Sequence, residues 1–187
     1  MENSENDYDL VLDRAIQGDE EAFSILYKDN VKKIYNYIYY RTGNNHEAED
    51  LTARVFQRAL NHITKYKKTN VPFSAWLYRI AHNLVANWHR DSNRRREVPI
   101  EDQINLRIMQ DIPEKEIEKR QEIEFLLKTI RKLTNDRQLV LILKYVEDLS
   151  NKEIGDVLGK SEGAIKSLYH RTLLELRDVL NISGKKE

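Results

Sequence analysis

Apolar residues recur every three or four positions along most of this chain, and the breaks between those runs mark out its elements. Phe23, Leu26, Tyr27, Val31, Ile34, Tyr35 and Ile38 predict a core-facing helix, opened by Gly18-Asp19 and broken by Arg41-Thr42-Gly43-Asn44-Asn45. Tyr35, Tyr37, Tyr39 and Tyr40 fall all round that helix, so some of them must meet solvent or another surface. His46–Ile63 follows, with Leu51, Val55, Ala59 and Ile63 on one stripe and Phe56 and Leu60 beside it. Its opposite face offers Glu47, Asp50, Arg54, Gln57 and Arg58, and acids at its start suit the positive end of a helix. A basic loop, TKYKKTNV over Thr64–Val71, leads into a third helix over Val71–Arg96. Pro72 suits the approach to that helix because its missing N–H would be unpaired there anyway, and the Ser74 hydroxyl can cap free amides. Ala75, Leu77, Ile80, Ala81, Leu84 and Val85 form its apolar stripe.

The pattern changes after Arg96. Glu97–Lys115 carries Pro99, Pro113 and the acids Glu101, Asp102, Asp111 and Glu114 without an amphipathic stripe, which marks a linker and a domain boundary. Beyond it Ile117, Ile123, Leu126, Leu127 and Ile130 make one helical stripe, and Leu139, Leu141, Ile142, Leu143 and Val146 make another. Ser150 then caps NKEIGDVLG with Glu153 in the capping-box position, Gly159 closes that helix, and Ser161 caps the next. Ile154, Val157, Leu158 and Ile165 would meet in a small core, the arrangement of a helix-turn-helix. No segment sustains period-two alternation. The expected fold is therefore all-α: two small helical domains, 8–96 and 116–183, joined by an acidic linker over 97–115, with the helix-turn-helix in the second.

Composition narrows the class. The 187 residues include no cysteine, which excludes disulfides and thiolate metal sites and fits a reducing compartment. The start, MENSENDYDL, lacks the basic and apolar segments of a signal peptide, and no apolar run reaches the length of a membrane span. A cytoplasmic protein without membrane insertion is expected. Lys and Arg number 31 and Asp and Glu 31, so the net charge is zero, which by itself argues against a nucleic-acid partner. The distribution reverses that reading. Glu2, Glu5, Asp7, Asp9, Asp13, Asp19, Glu20 and Glu21 face only Arg14 near the start, whereas Arg79, Arg90, Arg94, Arg95 and Arg96 face only Asp91. A bound phosphate feels the local potential, which salt screens over roughly 8–10 Å.

The chemistry concentrates in two helices. In the third helix Arg79, His82, Asn83, His89 and Arg90 sit among Trp76, Tyr78 and Trp88, and cations interleaved with rings and amides are what a single nucleic-acid strand requires. Trp76 alone reads as a core residue, since aromatics at helical spacing more often pack than bind, and an arginine run also suits a helix C-terminus. In the second helix of the carboxy-terminal pair, Lys166, Ser167, His170 and Arg171 point outward near its start, where side chains reach base edges and phosphates in a major groove. Leu168 either packs inward or touches a thymine methyl. His46, His62, His82, His89 and His170 show no metal-ligand spacing on one helix, and there is no glycine-rich phosphate loop or nucleophile elbow. Neither an enzyme nor a bound metal or cofactor is expected.

GDEEAFSILY, AEDLTARVFQRAL, PFSAWLYRIAHNLVANWHR and DLSNKEIGDVLGKSEGAIKSLYHR, in this order and spacing, resemble consecutive signatures of the extracytoplasmic-function (ECF, group IV) sigma factors of RNA polymerase. The resemblance runs from about Leu10 to Leu180. It implies a subunit that binds core RNA polymerase, through the β′ clamp helices and the β subunit, and directs initiation at promoter DNA. Glu47, Asp50, Arg54, Gln57 and Arg58 would dock on the clamp helices. Tyr66, Lys67, Tyr78, His82 and Asn83 would form a pocket for a base extruded from the minus-ten element, Asn83 foremost because an amide both donates and accepts. His89, Arg90 and Arg94 would continue along that single strand. The linker would thread toward the active-centre channel, and Ser161, Lys166, Ser167, His170 and Arg171 would read the minus-thirty-five duplex. The resemblance also implies an anti-sigma factor as partner. Many members carry an acid at the position of Arg54 and a base at that of Leu168. The competing reading is a stand-alone helix-turn-helix regulator whose front domain dimerises or binds a ligand, and it leaves the aromatic and basic strip of Val71–Arg96 unexplained.

Overall fold

The computed structural model describes the backbone of residues 2–95, 125–126, 128–130 and 132–183, and the side chains of residues 7–91 and, past the linker, up to residue 179. The readings placed on 97–115, on Ile117, Ile123 and Leu127, and on the side chains of Arg94, Arg95 and Arg96 lie outside the described residues. Every described element is helical. The chain divides into two compact units, Met1–Arg95 and Arg96–Glu187.

The first unit holds α1 (Glu2–Ile16), α2 (Glu20–Thr42), α3 (Asn45–His62), a single 3-10 turn (Ile63–Lys65) and α4 (Phe73–Arg95). Asp19 starts α2 by accepting from the Ala22 amide at 3.0 Å, and Gly43 ends it with φ at 67°, a conformation without the steric cost another residue would carry. Asn44 then caps α3 by accepting from the Glu47 amide at 3.1 Å. Helix α2 packs against α1, α3 and α4. That is why its buried surface is wider than one stripe: Phe23, Leu26, Ile34 and Ile38 are buried as expected, and Asn30, Tyr37 and Tyr39 join them. Four positions depart from the expected stripes. Tyr27 is 41% exposed, its ring edge-on to Phe56 at 4.7 Å, and Val31 and Tyr35 are half-buried. Leu60, expected beside the core stripe of α3, is 48% exposed. Leu26, Ile34, Ile38, Leu51, Val55, Phe73 and Leu77 are essentially inaccessible, and burying each such side chain contributes about 1.5–3 kcal/mol.

In the second unit a helical segment within residues 125–132 leads to α5 (Asn135–Tyr145), α6 (Asn151–Leu158) and α7 (Glu162–Ser183). Leu139, Leu143, Ile154 and Ile165 close its core, while Leu158, expected there too, is half-buried. The buried Gln138 amide donates to the Leu133 carbonyl at 2.8 Å, so its burial leaves that donor satisfied. Val146, expected in the stripe, is 59% exposed because α5 stops at Tyr145. The chain bends through Asp148, whose φ is 52°, and delivers Leu149 to the core in its place. The Ser150–Glu153 capping box is present in both directions, at 3.3 and 2.7 Å. Gly159 ends α6 with φ at 65°, and the Lys160 carbonyl lies so close to Gly155 that a Cβ there would sit 2.6 Å from it.

Candidate nucleic-acid interface

Residues 66–72 and the outer side of α4 carry the first candidate surface. The Tyr66 amide donates to the Ile63 carbonyl at 2.9 Å, which turns the chain out of the 3-10 turn. The Tyr66 ring rests on Phe73 and Trp76 with centroids 5.6 and 4.9 Å away, so the loop hangs from the start of α4 by an aromatic cluster. Burial pushes the Tyr66 phenol up, against a hydrogen bond with Thr69 that works the other way. Trp76 is half-buried in this cluster, in keeping with its reading as a packing residue. Lys67 is exposed.

Along α4 the aromatic and basic strip divides. Asn83, Arg79 and Arg90 are exposed, and Arg90 donates to the Asn87 side chain at 2.9 Å. Tyr78 and His82 are 3% and 9% exposed, so the two residues expected to share a base pocket with Asn83 face the core instead. Tyr78 stands edge-on to Tyr37 of α2, centroids 5.5 Å apart. The cause is a second packing partner: α4 contacts both α2 and α3, so its buried arc includes positions 78 and 82 as well as 75, 77, 81, 84 and 85 of the predicted stripe. His89 is half-buried, 4.9 Å from the Trp88 ring. Its imidazole is held below the usual histidine range by burial and by the Arg41 charge, against a hydrogen bond to the Arg41 backbone.

The sequence pattern leaves the partner of the basic loop unstated. Lys68 reaches Asp13 at 3.1 Å and Asp9 at 3.3 Å, both on α1. Desolvation works against its charge, yet the hydrogen bonds it donates to both acids, with their negative charges, outweigh it and hold the ammonium above its usual range. Part of the acidic front end therefore lies against the basic loop. No local signal could reveal this, since the pairing spans 55 residues.

On α3, Asp50, Arg54, Gln57 and Arg58 are exposed and Glu47 is half-buried. Arg54 pairs with Asp50 one turn back at 3.5 Å, and Leu60, at the border of the core stripe, is exposed as well. In the second unit Ser161 accepts from the Ala164 amide at 3.3 Å, fixing the start of α7. Ser161, Lys166, Ser167, His170 and Arg171 are all exposed along its first turns, with Leu168 half-buried between them. Thr172 is fully buried behind that surface and donates to the Leu168 carbonyl at 2.8 Å. Among the described residues no group of three or more His, Asp or Glu could hold a metal ion. None of the described helices is long and apolar enough to cross a membrane.

Each unit contains the match to one protein family. Residues 26–95 match Sigma-70 region 2, and residues 124–176 match Sigma-70, region 4. The chain is 36% identical over 170 residues to the ECF RNA polymerase sigma factor BldN of Streptomyces coelicolor, which covers 91% of this chain and 64% of BldN. It is 35% identical over 175 residues to the ECF RNA polymerase sigma factor SigW of Bacillus subtilis, covering 88% of this chain and 91% of SigW. Its fold is that of CnrH, solved in complex with the cytosolic domain of CnrY, with a TM-score of 0.65 at 21% identity over 92% of this chain and 96% of that one. The chain thus belongs to the ECF sigma factors of RNA polymerase, a class of transcription-initiation proteins.

Proposed function

We propose that this chain is a group IV sigma subunit that works without catalytic chemistry of its own. It docks on the β′ clamp helices of core RNA polymerase through Glu47, Asp50, Arg54, Gln57 and Arg58, and also meets the β subunit. The module 8–96 captures the melted minus-ten strand. Lys67, Asn83 and Arg90 touch it directly, Tyr66, His89 and Arg94 flank it, and Tyr78 and His82 set the helix in place from the core. The module 116–183 lays α7 in the major groove of the minus-thirty-five element, with Ser161, Lys166, Ser167, His170 and Arg171 toward DNA. Residues 97–115 form the linker between them. The protein acts in the cytoplasm, and its controlling partner is an anti-sigma factor; CnrH itself was solved with a partner bound.

The observation that carries this reading is the start of α7: Lys166, Ser167, His170 and Arg171 are exposed on it and Ser161 just before it, on a helix that a capped, glycine-closed α6 holds against a common core. A stand-alone reader of duplex DNA would share that feature. Run-off transcription separates the two. Added to core polymerase, the chain is expected to produce promoter-specific transcripts on supercoiled or premelted templates from its own genome. Duplex binding with no transcript on any such template would overturn the sigma reading.

A further inference from the structure

Helix α1 lies outside the residues matched to Sigma-70 region 2, yet it touches the loop that carries the strand-binding residues. It is anchored by Leu12 and Ala15, both buried, and by Tyr8, whose hydroxyl accepts from the Asn30 side-chain amide at 3.4 Å. Asp9 and Asp13 project from this fixed helix onto the Lys68 ammonium, and Asp13 offers both carboxylate oxygens at 3.1 Å. Lys68 sits next to the exposed Lys67 and two residues from Tyr66, which the aromatic cluster holds against α4.

We propose that Lys68 is a phosphate-binding residue for single-stranded nucleic acid, masked in the free protein by Asp9 and Asp13 of α1. This masking presupposes the strand-capturing role proposed above for this loop. Three charges compete at one exposed point. A surface ion pair is weak and screened by salt, whereas a nucleic-acid backbone offers a dense row of phosphates whose neutralisation releases counterions. The exchange of carboxylate for phosphate is therefore near balance. The acids lower the affinity of the free chain for stray strands, and a strand already held along α4 displaces them. The partner chemistry is a backbone phosphate, so the effect is independent of base sequence.

The test uses the full chain and a labelled single-stranded DNA oligonucleotide of mixed sequence, titrated at several salt concentrations. The double variant Asp9→Asn/Asp13→Asn is expected to bind roughly two- to fivefold tighter than the parent, the range by which an exposed ion pair can compete. Its dependence on salt should steepen by about 0.7 in the log–log slope, one additional phosphate on a single strand. Lys68→Met should remove that gain in the double-variant background and weaken the parent by a smaller factor, because there the acids still compete for the ammonium. Glu20→Gln/Glu21→Gln alters net charge equally at exposed acids for which no Lys68 contact is seen, and should give no Lys68-dependent gain. Absence of tighter binding, or a gain that survives Lys68→Met, overturns the proposal. Unchanged helical circular dichroism and unfolding midpoints keep a folding defect from imitating either result. The titration contains no polymerase, so its failure is distinct from failure of the parent chain to support transcription.

Discussion

At the scale of single residues, burial divides the side chains of α4 into those that can touch a ligand and those that hold the helix. Asn83 is an exposed amide of that helix, able to donate to and accept from one base edge at once. Asn83→Ala is expected to lower open-complex formation about tenfold, the value of a good base contact, with binding to core polymerase unchanged. Permanganate reactivity of melted thymines and co-migration with core polymerase measure the two separately, and equal losses would make Asn83 structural. His89 gives a pH dependence. Burial and the Arg41 charge keep its folded-state pKa below the unfolded value of about 6.5, so its contribution to stability is full above that pH. As the pH falls through about 6.5 the unfolded chain gains protons that the folded unit refuses, and stability declines until the lowered folded value is passed. Thermal unfolding should thus fall more between about pH 7.5 and 5.5 in the parent than in His89→Gln.

Between elements, two glycines in the helix-turn-helix carry opposite predictions. A Cβ on Gly155 would lie 2.6 Å from the Lys160 carbonyl oxygen, which is backbone and cannot swing away. Gly155→Ala gains up to about 1 kcal/mol in helix propensity and loses about 1–3 kcal/mol to overpacking, so the net effect is destabilising. At Gly163 a Cβ meets nothing within 4 Å, and Gly163→Ala should stabilise by a few tenths to about 1 kcal/mol. Urea midpoints of the two variants should move in opposite directions. The same element yields a binding prediction: Lys166→Ala should weaken duplex binding uniformly across sequences and reduce the salt slope by about one. An unchanged slope would take Lys166 off the DNA backbone.

The helix-turn-helix was the most legible part of the chain, because Ser150, Glu153, Gly159 and Ser161 are local signals whose meaning depends only on their neighbours. The run Val71–Arg96 was legible as a helix but not in its orientation. Tyr78 and His82 look polar in sequence, yet α4 meets two helices and buries both. Tyr27 and Leu60 erred in the other direction, apolar positions at the border of a stripe that their neighbours cover only in part. The Lys68 pairing with α1 lay beyond any pattern within one element.

For the whole molecule, two closed cores on one chain imply two folding units. Leu26, Ile34, Ile38, Leu51, Phe73 and Leu77 pack among α1 to α4, and the second unit has its own core of Leu139, Leu143, Ile154 and Ile165. Charge follows the same division: the acids of α1 meet the basic loop of their own unit, so part of the zero net charge is cancelled inside the first domain rather than across the chain. Each unit should then keep its structure and half of the function when separated. A fragment of residues 1–95 is expected to unfold cooperatively in urea, to retain core-polymerase binding, and to lose discrimination for the upstream element. The matching carboxy-terminal fragment should bind duplex with the parent's salt slope. A first fragment that shows broad, non-cooperative unfolding would mean that its core is completed by residues beyond Arg95, and the boundary placed there would have to move.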